Sequence, residues 1–520
     1  CHGCRHPITK KETTSKNYKK GVYCPNCYGI INYLDNIALW PFAHGGYCVG
    51  YGAAIVTQSG MFSSDITMSQ RSLPMTFMIS AGNQAVMGLE DFVDFLCEHP
   101  ETRAIGIHIE GLSDIPKFEA AALKALETGT AIVALKTGKS DIGRNLTVSH
   151  TGSLSGSNTF YDALFERCGV ISVNNPSQFL ETLKYLCVVK PPKGNRIAGF
   201  TCSGGGATML ADHGEKIDLN FPAFEDVDTE NLRRLLPEIA TVSNPLDYTT
   251  PIWGQPDITL QVFEAAIGIN NIDATVLVQD YPAKELDESK VFYLNDADAF
   301  GRAAQKFGVP AAICATLPEN LDQETREHLI SKGVAPMQGI HECLNAIQQV
   351  AKWEQQRTAI LKSPLPQISP NTMFDHDFSY LSEAEGKSLL SASGISIPSG
   401  RMVNRAQCAE AAKILGFPIA LKMMSSKLPH KTEAGAVKLG ITNIPDLERA
   451  ISEIRASVAQ YDRKAITDNF LIEKMAVPPL AELIIGLHQD QQFGWALTIG
   501  SGGILVELLE DSKTLLLPTN

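Results

Sequence analysis

Two histidines sit where group-transfer chemistry could use them. His150 lies in Leu146–Gly156, L-T-V-S-H-T-G-S-L-S-G, among small hydroxyl and glycine residues. Such neighbours expose an imidazole and let backbone N–H groups approach an oxyanion closely. Neutral imidazole is a nucleophile near neutral pH and forms covalent intermediates. Taken alone, the stretch fits an inert Ser/Gly loop equally well. His430 lies in a polar loop, Lys427–Gly435, after a short apolar run that carries Lys422. Thr57-Gln-Ser-Gly60 and Cys202-Ser-Gly-Gly-Gly206 each follow an apolar run and precede a helical pattern. Strand, Ser/Gly turn, helix aims N–H groups at an anion, which makes Ser59, Gly60, Ser203, Gly204, Gly205 and Gly206 candidate phosphate-binding residues. Each turn by itself also fits plain turn chemistry. Cys1-His-Gly-Cys4 and Cys24-Pro-Asn-Cys27 form a C-x2-C, C-x19-C-x2-C pattern, and four thiolates so spaced suit tetrahedral zinc.

The elements that must position these residues read in order along the chain. Apolar runs at 53–56, 77–80, 104–109 and 131–135 alternate with helical patterns. That alternation predicts a parallel sheet with ligands at the carboxyl ends of its strands. Ser59, Asn83, Glu110 and the His150 loop all follow such ends. A second α/β unit starts near Asn195, with strands predicted at 197–200, 274–278 and 311–314. Residues 353–377 are polar, carry Pro364, Pro366 and Pro370, and read as a linker. Beyond it come a helix ending at Gly394 and strands predicted at 418–422, 470–475, 482–486 and 495–499.

The composition is that of an ordinary globular protein, 44% hydrophobic and 19% charged over 520 residues. A formal net charge of −13 argues against a general nucleic-acid or anionic-membrane surface. No apolar run reaches the ~18 residues of a membrane span, and no signal-peptide pattern opens the chain. The cysteines outside the first segment read as reduced thiols of a cytoplasmic protein. The chain does not begin with Met and is expected to be a fragment or a processed product.

Together these residues resemble the ADP-forming (NDP-forming) acyl-CoA synthetases, the acetate–CoA ligase family related to succinyl-CoA synthetase. The likeness runs from about Cys24 to the end, through Pro25-Asn-Cys-Tyr-Gly29, Thr57-Gln-Ser-Gly60, Glu110-Gly111, Ser149-His-Thr-Gly152, Ser203–Gly206, Asn244–Asp247, Lys422, His430-Lys-Thr-Glu433 and Glu473. Residues 1–28, through C-H-G-C-R and G-V-Y-C-P-N-C, resemble the cysteine-rich tail of rhodanese-like tRNA-modifying proteins. The family resemblance implies an α/β fold: two flavodoxin-like (succinyl-CoA synthetase-like) parallel-sheet domains followed by a partial ATP-grasp domain. The implied boundaries are 1–45 for a cysteine-rich segment and remnant of a CoA-binding domain, 46–190 for a phosphohistidine domain, 191–352 for a second flavodoxin-like domain, 353–377 for the linker, and 378–520 for the ATP-grasp domain.

The resemblance also implies an acid–CoA ligase working through acyl phosphate and phosphohistidine. His150 would take the phosphoryl group and Glu110 would bond its other ring nitrogen. His430 would relay the group, Lys422 would contact nucleotide phosphates, Glu473 the nucleotide, and Asn26 CoA. ATP/ADP, Mg2+ and coenzyme A are the implied cofactors, a small carboxylic acid and CoA the substrates, and an oligomer or completing subunit the partner; no membrane partner is implied. Two departures stand out. The family commonly continues its histidine loop with Gly-Gly where this chain has Gly435-Ala436. The Gly-rich CoA turn and the magnesium-holding carboxylates are expected to be missing, so the chain is expected to accept phosphate on His150 but make little acyl-CoA alone. The alternatives are a non-catalytic acyl-CoA or nucleotide-binding regulator that keeps the fold and, less consistent with the charge, a zinc-dependent RNA-associated protein.

Overall fold

The computed structural model describes residues 28–84, 87–140, 142, 158–269, 271–283, 288–369, 381–428, 430–503, 509 and 511–519. His150, Asn26, Cys1, Cys4, Cys24 and Cys27 lie outside the described residues. The chain divides into two compact units: Cys1–Thr372 with Ile485–Ile499 and Lys513–Asn520, and Met373–Ile484 with Gly500–Ser512.

The first unit holds two sheets. Strands β1 (Gly29–Asn32), β2 (Ile37–Leu39), β3 (Gly52–Thr57), β4 (Met75–Ser80), β5 (Thr102–Ile109), β6 (Ala131–Lys136) and β7 (Ile171–Val173) form one, in the order β2-β1-β4-β3-β5-β6-β7. The β4 to β7 part is parallel. Its central strands are buried along their length, as expected of a parallel sheet covered on both faces. Helices α1 (Gly60–Thr67), α2 (Leu89–Leu96), α3 (Ile115–Thr128), α4 (Asn158–Cys168) and α5 (Pro176–Val188) are the connections. The second sheet is parallel, in the order β12-β11-β10-β8-β9, from β8 (Ile197–Thr201), β9 (Leu246–Asp247), β10 (Ala274–Val278), β11 (Ala311–Ala315) and β12 (Ala335–Gln338). Helix α6 (Gly204–Lys216) opens after β8, and α7 (Asp226–Leu235), α8 (Pro256–Ile267), α9 (Lys290–Phe307), α10 (Gln323–Ser331) and α11 (Ile340–Lys362) follow. One apolar core runs through both sheets, from Ile55 and Val133 by way of α5 to Val276, Met337 and Val350.

Two expected boundaries move. The predicted linker from Trp353 is helix as far as Lys362, because Trp353 is buried at 2% exposure and the segment places its polar residues outward. Residues 29–39, assigned to a CoA-domain remnant, form a hairpin instead. Its strand β1 pairs antiparallel with β4, Gly29 opposite Ser80, and so extends the first sheet.

The second unit is built on a four-stranded sheet, β13 (Gly400–Asn404), β16 (Asn469–Lys474), β14 (Ile419–Met423) and β15 (Val437–Ile441), with α12 (Glu383–Ala392), α13 (Cys408–Leu415) and α14 (Ile444–Tyr461). A capping box, Ser382 with Glu385, starts α12. The remaining sheet, β17 (Leu483–Asp490), β18 (Gly494–Ser501) and β19 (Lys513–Leu516), has most of its residues in the first unit. There Phe493, Ala496 and Leu516 join the core around α4.

Candidate active site

The carboxyl edge of the first sheet brings Ser59, Gly60 and Glu110 together. Thr57 is opposite His108 across β3 and β5, so the turns that follow are neighbours. Ser59 caps α1 by accepting from Phe62 N at 3.3 Å. Gly60 leaves room for Tyr28: a Cβ there would lie 2.7 Å from the tyrosine ring. His108 is buried between Thr57 Oγ1 at 3.0 Å and Thr137 Oγ1 at 3.2 Å. Burial and the Lys136 charge push its imidazole down to about 4, which keeps it neutral.

The turn Glu110-Gly111-Leu112 is held by side chains on every backbone polar group. Gln58 Oε1 accepts from both Glu110 N and Gly111 N, the latter at 3.0 Å. Lys136 Nζ donates to Glu110 O at 3.1 Å, and Gln58 Nε2 to Gly111 O at 2.6 Å. Tyr161 Oη accepts from Leu112 N at 3.0 Å, and Gln492 Nε2 donates to Leu112 O at 2.6 Å. Burial pushes the Tyr161 phenol up to about 12, so it stays neutral. Lys136, Tyr161 and Gln492 carry no motif of their own. Only Gln58, inside Thr57–Gly60, had a signal in the sequence.

On the second sheet, Ser203 precedes α6 without a side-chain cap bond. Gly206 is small for a packing reason: a Cβ would sit 2.6 Å from Thr201 Oγ1. Asn244 fixes the fold locally, accepting from Gly199 N at 3.0 Å and donating to Ile197 O and Pro222 O at 2.8 and 3.0 Å.

In the second unit, Lys422 and Glu473 lie on adjacent strands, Ala420 opposite Glu473. Lys422 Nζ pairs with Glu383 at 2.5 Å and Glu473 at 2.9 Å. Lys387 reaches Glu383 at 3.0 Å and Glu473 at 2.5 Å, and Lys431 reaches Glu383 at 3.2 Å. Three ammonium groups thus share two carboxylates. Burial alone would raise the Glu383 carboxyl, but hydrogen bonds from Lys422 and Lys387 outweigh it and hold it at about 2. Lys422, penalised by burial, is nonetheless raised by the two carboxylates. This cluster opens on a cavity of about 600 Å³, lined by Glu383, Lys422, His430, Lys431, Thr432 and Glu433, with Val437 and Leu439 as its apolar side. Glu473 does not line it. A cavity with lysines, a histidine and one apolar wall can seat a polyphosphate attached to a planar base. The i, i+4 pair Glu383–Lys387 was the sequence signal passed over.

Residues 51–186 match the family described as "Succinyl-CoA ligase like flavodoxin domain", and residues 373–520 the family described as "ATP-grasp domain". Trans-feruloyl-CoA synthase FCS1, from an unknown prokaryotic organism, is 28% identical over 94% of this chain and 69% of its own length. Acetate–CoA ligase [ADP-forming] I of Archaeoglobus fulgidus is 29% identical over 94% of this chain and 70% of its own. The chain is a homologue of the ADP-forming acyl-CoA ligases. The fold of this ligase homologue is also that of the acetyl-coenzyme A synthetase 1 of Ca. Korarchaeum cryptofilum solved with phosphate and ADP. That structure has a TM-score of 0.56 at 20% identity over 68% of this chain and 75% of the other. No helix among the described residues of the homologue is long and apolar enough to cross a membrane.

Proposed function

We propose that this chain is an acid–CoA ligase of the ADP-forming type. In the direction of ATP synthesis, phosphate displaces CoA thiol from an acyl-CoA to give acyl phosphate. The His150 imidazole then takes the phosphoryl group, releasing the carboxylate, and passes it to ADP. The observation that carries this reading is the pairing of two sites in one chain. One is the carboxyl edge of the first sheet, where the Glu110 backbone is held by Gln58 and Lys136 beside the Ser59 start of α1. The other is a cavity where Lys422, Lys431 and His430 line the wall beside Glu383 and Glu433.

Each group has a role that its chemistry supports. Glu110 accepts from one ring nitrogen of His150, leaving the other unprotonated and nucleophilic. The N–H groups at the starts of α1 and α6 favour the phosphoryl anion. Lys422 and Lys431 meet nucleotide phosphates, Glu473 orients the lysines, and His430 carries phosphate between the sites. Asn26 serves the CoA side. Magnesium bound with nucleotide supplies charge neutralisation in such transfers. Yet no group of three His, Cys, Asp or Glu among the described residues fits a metal ion, and Glu383 and Glu473 are engaged by lysines. The two C-x2-C pairs support a zinc site at Cys1, Cys4, Cys24 and Cys27. The described cysteines are all free thiols, which supports a reducing, cytoplasmic setting.

The test is intact-mass measurement after incubation with acetyl phosphate. A single added phosphate is expected on the parent chain and none on His150→Ala. His430→Ala should keep labelling from acetyl phosphate and lose labelling from ATP. Labelling that persists in His150→Ala removes the reading.

A further inference from the structure

Helix α1 starts at the carboxyl edge of the first sheet, beside Ser59, and ends at Thr67, from where the chain returns to the amino end of β4. A second cavity, of about 290 Å³, opens at that amino end. Its walls are the segment before β3, the C-terminal end of α1, the start of β4 and one face of α10. Ile66, Leu73 and Met75 give it buried apolar wall, and Arg326 and Glu327 give it charge.

Arg326 is the cation of these walls, and it is only 5% exposed. Its Nε donates to Ser72 Oγ at 3.1 Å and its Nη1 to Leu321 O, both neutral acceptors. Among the described residues nothing accepts from its Nη2. The carboxylates around it are taken by others. Glu181, fully buried, pairs with Arg71 at 2.7 Å and Lys184 at 3.0 Å and accepts from Gln338 N at 2.9 Å. Asp322 pairs with Lys290 at 2.7 Å, and Glu327 accepts from Gln323 Nε2 at 2.8 Å. Arg71, Lys184 and Arg326 therefore share one buried carboxylate, and Arg326 has no ion pair with it. Burial works against the Arg326 charge, yet a guanidinium stays protonated. A buried charge left without a counterion is costly.

We propose that this cavity binds a small carboxylate with an apolar tail, its carboxylate on Arg326. The planar guanidinium matches a carboxylate in shape and charge. Ile66, Leu73 and Met75 receive the tail. The volume lies at the small end of ligand pockets, roughly 300–1,000 Å³, which suits a short-chain acid. The walls hold one guanidinium, no lysine and the Glu327 carboxylate, so a monoanion fits better than a phosphate dianion. The site is at the other end of the strands from Ser59 and Glu110. It does not rest on the ligase reading, and its test reads binding without phosphoryl transfer.

The experiment is a ligand-observed NMR titration of the full chain with sodium butyrate, repeated with n-butanol and with inorganic phosphate as competitor. The parent should bind butyrate, ignore n-butanol and keep its butyrate when phosphate is added at equal concentration. Arg326→Gln should lose about tenfold or more in butyrate affinity, the scale of one lost charge-assisted hydrogen bond. Glu327→Gln takes a negative charge off the wall and should tighten butyrate binding severalfold, a gain that a merely structural role for Arg326 does not produce. Butyrate affinity unchanged in Arg326→Gln, or not raised in Glu327→Gln, overturns the site. So does a parent chain that shows no binding at millimolar butyrate. n-Butanol bound as tightly as butyrate overturns the ionic contact, and displacement by phosphate overturns the choice of a carboxylate. An Arg326→Gln chain that fails to fold leaves the Glu327→Gln titration to decide.

Discussion

Arg167 provides the sharpest test of the packing. Its side chain is 5% exposed and pairs at 2.5 Å with Glu119, which is 2% exposed. Its remaining donors reach three carbonyls: Leu516 O at 3.2 Å, Pro518 O at 2.6 Å and Pro366 O at 2.5 Å. Glu119 uses its second oxygen to accept from Ile368 N at 2.6 Å. Arg167→Ala therefore leaves a buried carboxylate uncompensated and frees two stretches of chain at once. Breaking one partner of a buried pair costs about 3–5 kcal/mol. Scanning calorimetry should show the transition of the larger unit falling by roughly 5 °C or more. The combined Arg167→Met and Glu119→Leu variant removes the stranded charge and should recover much of that loss. A loss below about 1 kcal/mol for Arg167→Ala would refute the reasoning. So would a combined variant as unstable as the two single changes added together.

Two further outcomes follow from the site. Glu383 is held at about 2 against an ordinary 4.5, so its contribution to stability is fully present above about 4.5 and is lost as pH falls through about 2. Denaturant titrations of Glu383→Gln against the parent should show a gap that closes over that window, and a gap independent of pH would contradict the ion-pair account. Gly60→Ala puts a methyl 2.7 Å from the Tyr28 ring and should cost about 1–3 kcal/mol, measurable by urea unfolding. An unchanged midpoint would show that Tyr28 moves away freely.

Much of the fold was legible because its strands are short apolar runs followed by glycine or serine turns. All four strands expected in the first domain formed within two residues of their predicted ends. The helix through Lys362 was missed because its last turns are solvated and carry no apolar stripe, while three prolines further on suggested a linker. The hairpin at 29–39 was missed because its outer strand is exposed throughout, which gives no alternation to read. At the candidate site, Ser59, Glu110, Lys422 and His430 stand out in the sequence through glycine turns, a lysine-bearing apolar run and a polar loop. The groups that hold them do not. Gln58, Tyr161 and Gln492 act through distances set only when segments far apart in the chain meet, and no local spacing encodes that.

The strands at 494–499 and 513–516 give the ligase homologue a practical property. In sequence they belong to the stretch that matches the ATP-grasp family, yet in space they are part of the first unit. Dividing the gene at residue 372 would yield a front piece with Tyr161 and Phe160 uncovered and Leu112 O unpaired. Its back piece would carry Phe493 and Leu516 with their core left behind. Module borders drawn from sequence families are thus poor cutting sites here. A soluble fragment or a domain exchange between relatives should carry 485–499 and 513–519 along with the flavodoxin-like body.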